Sequence, residues 1–297
     1  MNLFSLLDQL SAVDASSDAA PRRHLLRQLG QAGAKAAAAA LPLALALPAQ
    51  AAPTDASLDS TLLLLKLEEL LAAFYTQALA AGAVLSNAAQ AAVRPDFERI
   101  LAQQQNHARF LRTSLTTGGL TPPATPTFDF SGRKNNAGNP ELFPNVMTDY
   151  NAFLQLAQQL EDASADIYLG QMATFTGDRL LLDVVLRMQS VEARHASHIR
   201  TLRRNAQSGV VVKNWPSAAD TPFNSAVLVP NPAGGSAAPV SIYSFETNEK
   251  QVVTGANVVP FASLLTGSIA VQAGAYASAF DEPLPTAQAT ALLNLFS

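Results

Sequence analysis

The chain has 297 residues, with 19 Lys and Arg against 23 Asp and Glu, four His and no Cys, giving a formal net charge of −4. This mildly acidic balance argues against a nucleic-acid-binding face, and the lack of Cys excludes disulfides, thiol nucleophiles, Cys-ligated zinc and iron–sulfur clusters. Any metal must therefore be held by carboxylates and by at most four imidazoles.

Residues 1–51 read as a leader. Arg22 and Arg23 open a polar run, and the apolar Ala36–Ala49 stretch ends in Ala49-Gln50-Ala51, an A-x-A cleavage pattern. That stretch is too short for a membrane span of about 20 residues, so the mature chain is expected to carry no stable membrane span. The twin arginines resemble a Tat signal, which implies export to the periplasm or beyond. Lys35 interrupts the apolar approach and leaves an Ala-rich disordered or amphipathic leader as the alternative. Cleavage after Ala51 removes His24 and leaves 19 − 4 = 15 basic and 23 − 3 = 20 acidic residues, a net charge of −5.

Four long helices are predicted at 58–84, 95–116, 145–175 and 178–205, each with an apolar stripe. Pro95 suits a first helical turn, and Gly118-Gly119 suits a C-terminus. The links within the first and second pairs are short, so each pair is an antiparallel hairpin. Residues 120–144, with five prolines and the run Asn135-Asn136-Ala137-Gly138-Asn139, form a long crossover between helices two and three. The expected fold class is all-α: a four-helix bundle over 52–206, followed by a C-terminal extension over 207–297 packed on it. Within the extension, 208–260 reads as an extended segment, while 261–280 and 285–296 read as helical.

The chemistry lies in polar residues set inside the apolar stripes. Glu68 has Leu64, Leu71 and Tyr75 at helical offsets, and Glu161 has Leu154, Ala157 and Tyr168. His107 is flanked by Ile100, Phe110 and Leu111, and Glu192 and His195 lie one turn apart among Val185, Met188, Val191, Ile199 and Leu202. The pattern repeats, because Glu68 precedes Tyr75 by seven residues as Glu161 precedes Tyr168, and Gln104-x-x-His107 parallels Glu192-x-x-His195. Buried carboxylates are costly unless paired, protonated or bound to a cation, so the two hairpins are expected to converge on one site.

This arrangement resembles the ferritin-like superfamily, whose one-crossover bundle holds two metal ions between paired Glu and Glu-x-x-His helices. Leu67-Glu68-Glu69-Leu70-Leu71-Ala72-Ala73-Phe74-Tyr75, Leu160-Glu161-Asp162, Val191-Glu192-Ala193-Arg194-His195 and Phe280-Asp281-Glu282-Pro283-Leu284 resemble more closely the exported ferritin-like domain family, which includes the desiccation-related proteins of plants. The resemblance implies a bridging Glu at position 104, where this chain has Gln. It implies Glu68, His107, Glu161, Glu192 and His195 as metal ligands, with Glu192 bridging two ions, or Glu161, Glu192 and His195 holding one. Fe or Mn suits these donors, and Zn also fits.

Two functions follow. One is a metal-dependent redox protein with oxidase- or peroxidase-type chemistry. The other is a non-enzymatic stress or envelope protein with a degenerate metal site, which Gln104 favours. A small homo-oligomer is compatible with either, while the extension disfavours a storage shell. His198 is expected at the surface or behind a ligand, and Tyr75 and Tyr168 near the metal or bonded to a carboxylate. Glu69 and Asp162 are expected to face solvent or the crossover, and Trp215 and Tyr243 to anchor the extension.

Overall fold

The computed structural model describes residues 55–82, 84–207, 209, 211–225, 227–231, 238–247, 250–254, 257–260 and 281–297. The expected leader and the expected helix at 261–280 lie outside these residues. The first long helix, α1 (Asp55–Ala81), is rich in Leu and ends where Gly82 turns to φ 69°, a left-handed conformation that glycine adopts without strain. After α2 (Ala88–Ala92), capped by Asn87 and Gln90, α3 (Arg94–Thr117) starts with a proline in its first turn. Gly118 and Gly119 then close the last turn of α3, with Leu120 N–H donating to Leu115 O at 3.0 Å. The second hairpin comprises α4 (Tyr150–Gln171), a 3-10 turn (Met172–Phe175) and α5 (Arg179–Ala206). The start of α4 is later than the predicted residue 145, because Asn145 adopts φ 62° and the Asp149 carboxylate caps the helix by accepting from Ala152 N–H.

The helix pairs α1–α3 and α4–α5 pack together, and the crossover over residues 118–149 separates them in sequence. This is an all-α bundle with one long crossover. Phe74, Phe97 and Phe153 fill one end of the core, and Phe130 and Phe143 from the crossover pack against Phe296 near the C-terminus. Burying these rings offsets the entropy of ordering a long connection.

Almost every side chain of α4 from Phe153 to Tyr168 is buried, which sets this helix apart from α3 and α5. One face of α4 meets the bundle interior. Another carries Gln158, Gln159, Asp162 and Asp166, which meet the extension: Phe223 N–H donates to Gln159 Oε1 at 2.8 Å, and Tyr243 O–H donates to Asp162 Oδ2 at 2.8 Å. Leu284 N–H donates to Asp166 O at 2.9 Å, and a Cβ on Gly170 would lie only 2.2 Å from Leu284 O. The extension also contains a 3-10 turn (Ile242–Thr247), an antiparallel hairpin of β1 (Lys250–Thr254) and β2 (Asn257–Pro260), and α6 (Thr286–Leu293). The two-stranded hairpin falls within the segment predicted only as extended. Among the described residues, no helix is long and apolar enough to cross a membrane.

Candidate metal centre

Each hairpin delivers one carboxylate from its first helix and an imidazole from its second. The side chains of Glu68 on α1, Glu161 on α4 and Glu192 on α5 are fully buried, while those of His195 and His107 are 6% and 13% exposed. The structure brings all five predicted residues together as two triads that share Glu192: Glu68, His107 and Glu192, and Glu161, Glu192 and His195. Within each triad the donor atoms lie within 4.8 Å of one another.

The donors converge without satisfying each other. His107 Nδ1 is 3.0 Å from Glu192 Oε1 and 3.4 Å from Glu68 Oε1, yet His107 Nδ1, Glu192 Oε1 and Glu68 Oε2 have no aligned hydrogen bond among the described residues. Two donors about 2.1 Å from one octahedral ion are about 3.0 Å apart, so these separations fit atoms aimed at a shared point. In the other triad, His195 Nδ1 is 3.5 Å from both Glu161 Oε2 and Glu192 Oε2. Its Nε2 lies 2.7 Å from Gln103 Oε1, which can accept the ring N–H and leave Nδ1 as the inward donor.

The tyrosines reach across between the hairpins. Tyr75 O–H on α1 donates to Glu161 Oε1 on α4 at 2.5 Å, and Tyr168 O–H on α4 donates to Glu68 Oε1 on α1 in a short bond. Each phenol fixes one carboxylate oxygen: in Glu161 the other oxygen, Oε2, lies near His195, whereas in Glu68 the fixed Oε1 is itself the atom near His107. Ser164 O–H donates to Glu192 Oε2 at 3.1 Å.

Gln104 occupies the place where the resemblance implies a bridging carboxylate. Its Nε2 donates to Glu192 Oε2 at 2.9 Å and lies 3.4 Å from His195 Nδ1, while its Oε1 is buried without a partner. The amide therefore fills part of the second triad and leaves the first open. Rotating the amide by half a turn would exchange its nitrogen and oxygen and present an acceptor to His195.

Protons balance the buried charge when no cation does. Burial, with help from Glu192, pushes Glu68 up to about 7. Burial disfavours the charged imidazoles, but the close carboxylates of Glu192 and Glu68 outweigh it and raise His107 to about 10. Glu161 and Glu192 do the same for His195, also to about 10. Burial works to raise Glu192, yet both imidazoles overcome it and hold Glu192 well below the usual carboxylate range.

These shifts set the sign of a pH effect. The two histidines contribute stability that is complete below their ordinary 6.5 and lost as pH rises through about 10, and Glu68 acts in the same direction between 4.5 and about 7. The melting temperature of chelator-treated protein should therefore fall between pH 6.5 and 9, on the order of 3 °C per pH unit. Bound Mn(II) should remove most of the slope by replacing the protons. Thermal melts with and without Mn(II) check this, and a flat profile in chelator contradicts it.

The residues around the centre sort plainly. Glu69 is buried and paired with Arg112, whose guanidinium also donates to Pro123 O and Thr125 Oγ1 of the crossover. Asp162 does not face solvent or the crossover: it is fully buried against Arg200. His198 is half-exposed beside Asp96. Tyr243 is a buried anchor, whereas Trp215 is 49% exposed and its backbone carbonyl accepts from Arg200. Gln103 and Ser164 were not anticipated, although Ser164 sits on the stripe between Glu161 and Tyr168.

A comparison with curated proteins finds no match. Residues 58–205, which span α1 to α5 and hold both triads, match the family model described as the ferritin-like domain. The bundle of this chain is a ferritin-like domain.

Proposed function

We propose that the centre binds Fe or Mn, with one ion held first by Glu68, His107 and Glu192 and a second held more weakly by Glu161, Glu192 and His195. The observation that carries this order is the trio of buried atoms that lack an aligned hydrogen bond among the described residues, Glu68 Oε2, His107 Nδ1 and Glu192 Oε1. In the second triad Glu192 Oε2 is already bonded to Gln104 and Ser164. Nitrogen and carboxylate donors favour Fe or Mn, and Zn can take the same set. A bound Fe(II) or Mn(II) would supply one-electron chemistry toward O2 or peroxide. The chain's own residues hold and orient it: Tyr168 and Tyr75 fix the outer carboxylates, Gln103 orients His195, and the packed interior excludes water.

Gln104→Glu tests the order. Bound Mn(II), measured by equilibrium dialysis and elemental analysis, should rise from about one to about two per chain, because the substitution replaces a donor with a bridging anion. An unchanged count contradicts the role given to the amide.

The Gln104 hydrogen bond to Glu192 also favours the second reading, a non-enzymatic stress or envelope protein whose centre has decayed. That reading expects no metal response in wild type and only ordinary packing loss on His195→Ala. For the metal-dependent reading we further propose export after leader removal, motivated by Arg22-Arg23 and Ala49-Gln50-Ala51. Intact-mass measurement of the exported protein should place its first residue at Ala52, and an uncleaved chain retained in the cytosol contradicts export.

A further inference from the structure

We propose that Asp166, Glu246 and Asp281 form a separate, all-oxygen cation site that takes one Ca2+ and clamps the C-terminal extension onto α4. The three carboxylates come from α4, the 3-10 turn at Ile242–Thr247 and the segment before α6, and their oxygens lie within 4.8 Å of one another. Asp166 and Glu246 are each only 5% exposed, and Asp166 Oδ1 and Glu246 Oε1 are buried without a hydrogen-bond partner among the described residues. Asp281 is exposed, which gives the cluster an entrance and room for water ligands.

Three like charges this close repel one another, and without a cation the relief is a proton held in a hydrogen bond between Asp166 and Asp281. Arg200, whose charge reaches Glu246 and Asp281, is already bound by both Asp162 oxygens and by Asp220. Burial and the neighbouring carboxylates hold Asp166 well above the usual range and Glu246 at about 8, so without a cation the cluster retains protons. The geometry is fixed independently of the cluster, because Leu284 N–H donates to Asp166 O and Leu284 O seats against the bare Cα of Gly170. A set of oxygen donors on separate, adjustable segments suits Ca2+, with its six to eight ligands and tolerant geometry, better than an ion that demands nitrogen or a strict octahedron.

Calcium binding to the full chain, freed of metal by chelator, tests the site by equilibrium dialysis. Wild type and Glu192→Gln should each bind about one Ca2+, and Glu246→Gln/Asp281→Asn should bind at least tenfold more weakly. Thermal melts add a sign change: in chelator the double variant should melt at or above wild type, because repulsion is relieved, and in excess Ca2+ wild type should melt higher. The Ca2+-induced shift of wild type stands even if the double variant does not fold. No binding and no shift in wild type overturns the site and leaves shared protons only. Binding that survives the double variant, or that is lost in Glu192→Gln, places the ion elsewhere and also overturns it. The outcome is independent of whether Fe or Mn occupies the ferritin-like centre.

Discussion

Glu192→Gln should weaken Mn(II) binding at least about 100-fold, a larger loss than the 10- to 100-fold typical of removing a group behind a metal ligand. The reason is positional. Glu192 is the one residue common to both triads, with Oε1 facing His107 and Oε2 facing His195. An amide is nearly isosteric but neutral, so neither position keeps its shared anion. The same substitution removes the charge that holds both imidazoles protonated, so the pH slope of the chelated protein should flatten as well. Glu69→Gln is the control, since Glu69 is buried and paired with Arg112 outside the triads. Equal weakening by both substitutions would mean that Glu192 acts only through fold stability.

Arg200→Ala should destabilise the chain by about 3–5 kcal/mol, which corresponds to a fall of about 10 °C in Tm for a domain of this size. Arg200 lies in the last turns of α5 with its side chain wholly buried. Its Nε and Nη2 grip the two Asp162 oxygens at 2.7 and 2.6 Å, a bidentate pair. Its Nη1 donates to Lys213 O, Trp215 O and Asp220 Oδ2 of the extension. Truncation therefore strands a buried carboxylate that keeps the Tyr243 O–H bond, and it cuts four hydrogen bonds to Lys213, Trp215 and Asp220. Lysine cannot reproduce the fork, so Arg200→Lys should lose most of the same stability. Arg200→Met combined with Asp162→Asn should recover much of it, because removing both charges leaves no unpaired ion. Urea melts of the four proteins check the set, and a loss below about 1 kcal/mol for Arg200→Ala would show that the pair contributes little.

The bundle was legible because its helices obey the local rules: period-3.6 apolar stripes, Pro95 at a start, and Gly118 and Gly119 at an end. The inward positions of Glu68, Glu161, Glu192 and His195 followed from the same periodicity, since a carboxylate flanked by Leu at helical offsets has one face to occupy. The environment of Asp162 was not legible. Its burial depends on α4 being covered by the extension as well as by the bundle, and helical spacing says nothing about a distant segment folding back. The role of Arg200 escaped for the same reason, because helical spacing does not show residues 213–220 closing over it. The Gln104 amide was visible as a departure from the resemblance, but its donor direction, toward Glu192 Oε2, required coordinates. The grouping of Asp166 with Glu246 and Asp281 joins residues far apart in the chain, beyond the reach of any periodicity.

The central claim is that a divalent ion belongs at Glu68, His107 and Glu192. Elemental analysis of the full chain, purified without chelator and again after loading with Mn(II) or Fe(II) and desalting, tests it most directly. The expected result is about one tightly held ion per chain with a clear rise in Tm, in line with mass action on the folded state. Less than about 0.1 ion per chain, with no thermal shift on adding either metal, would contradict it.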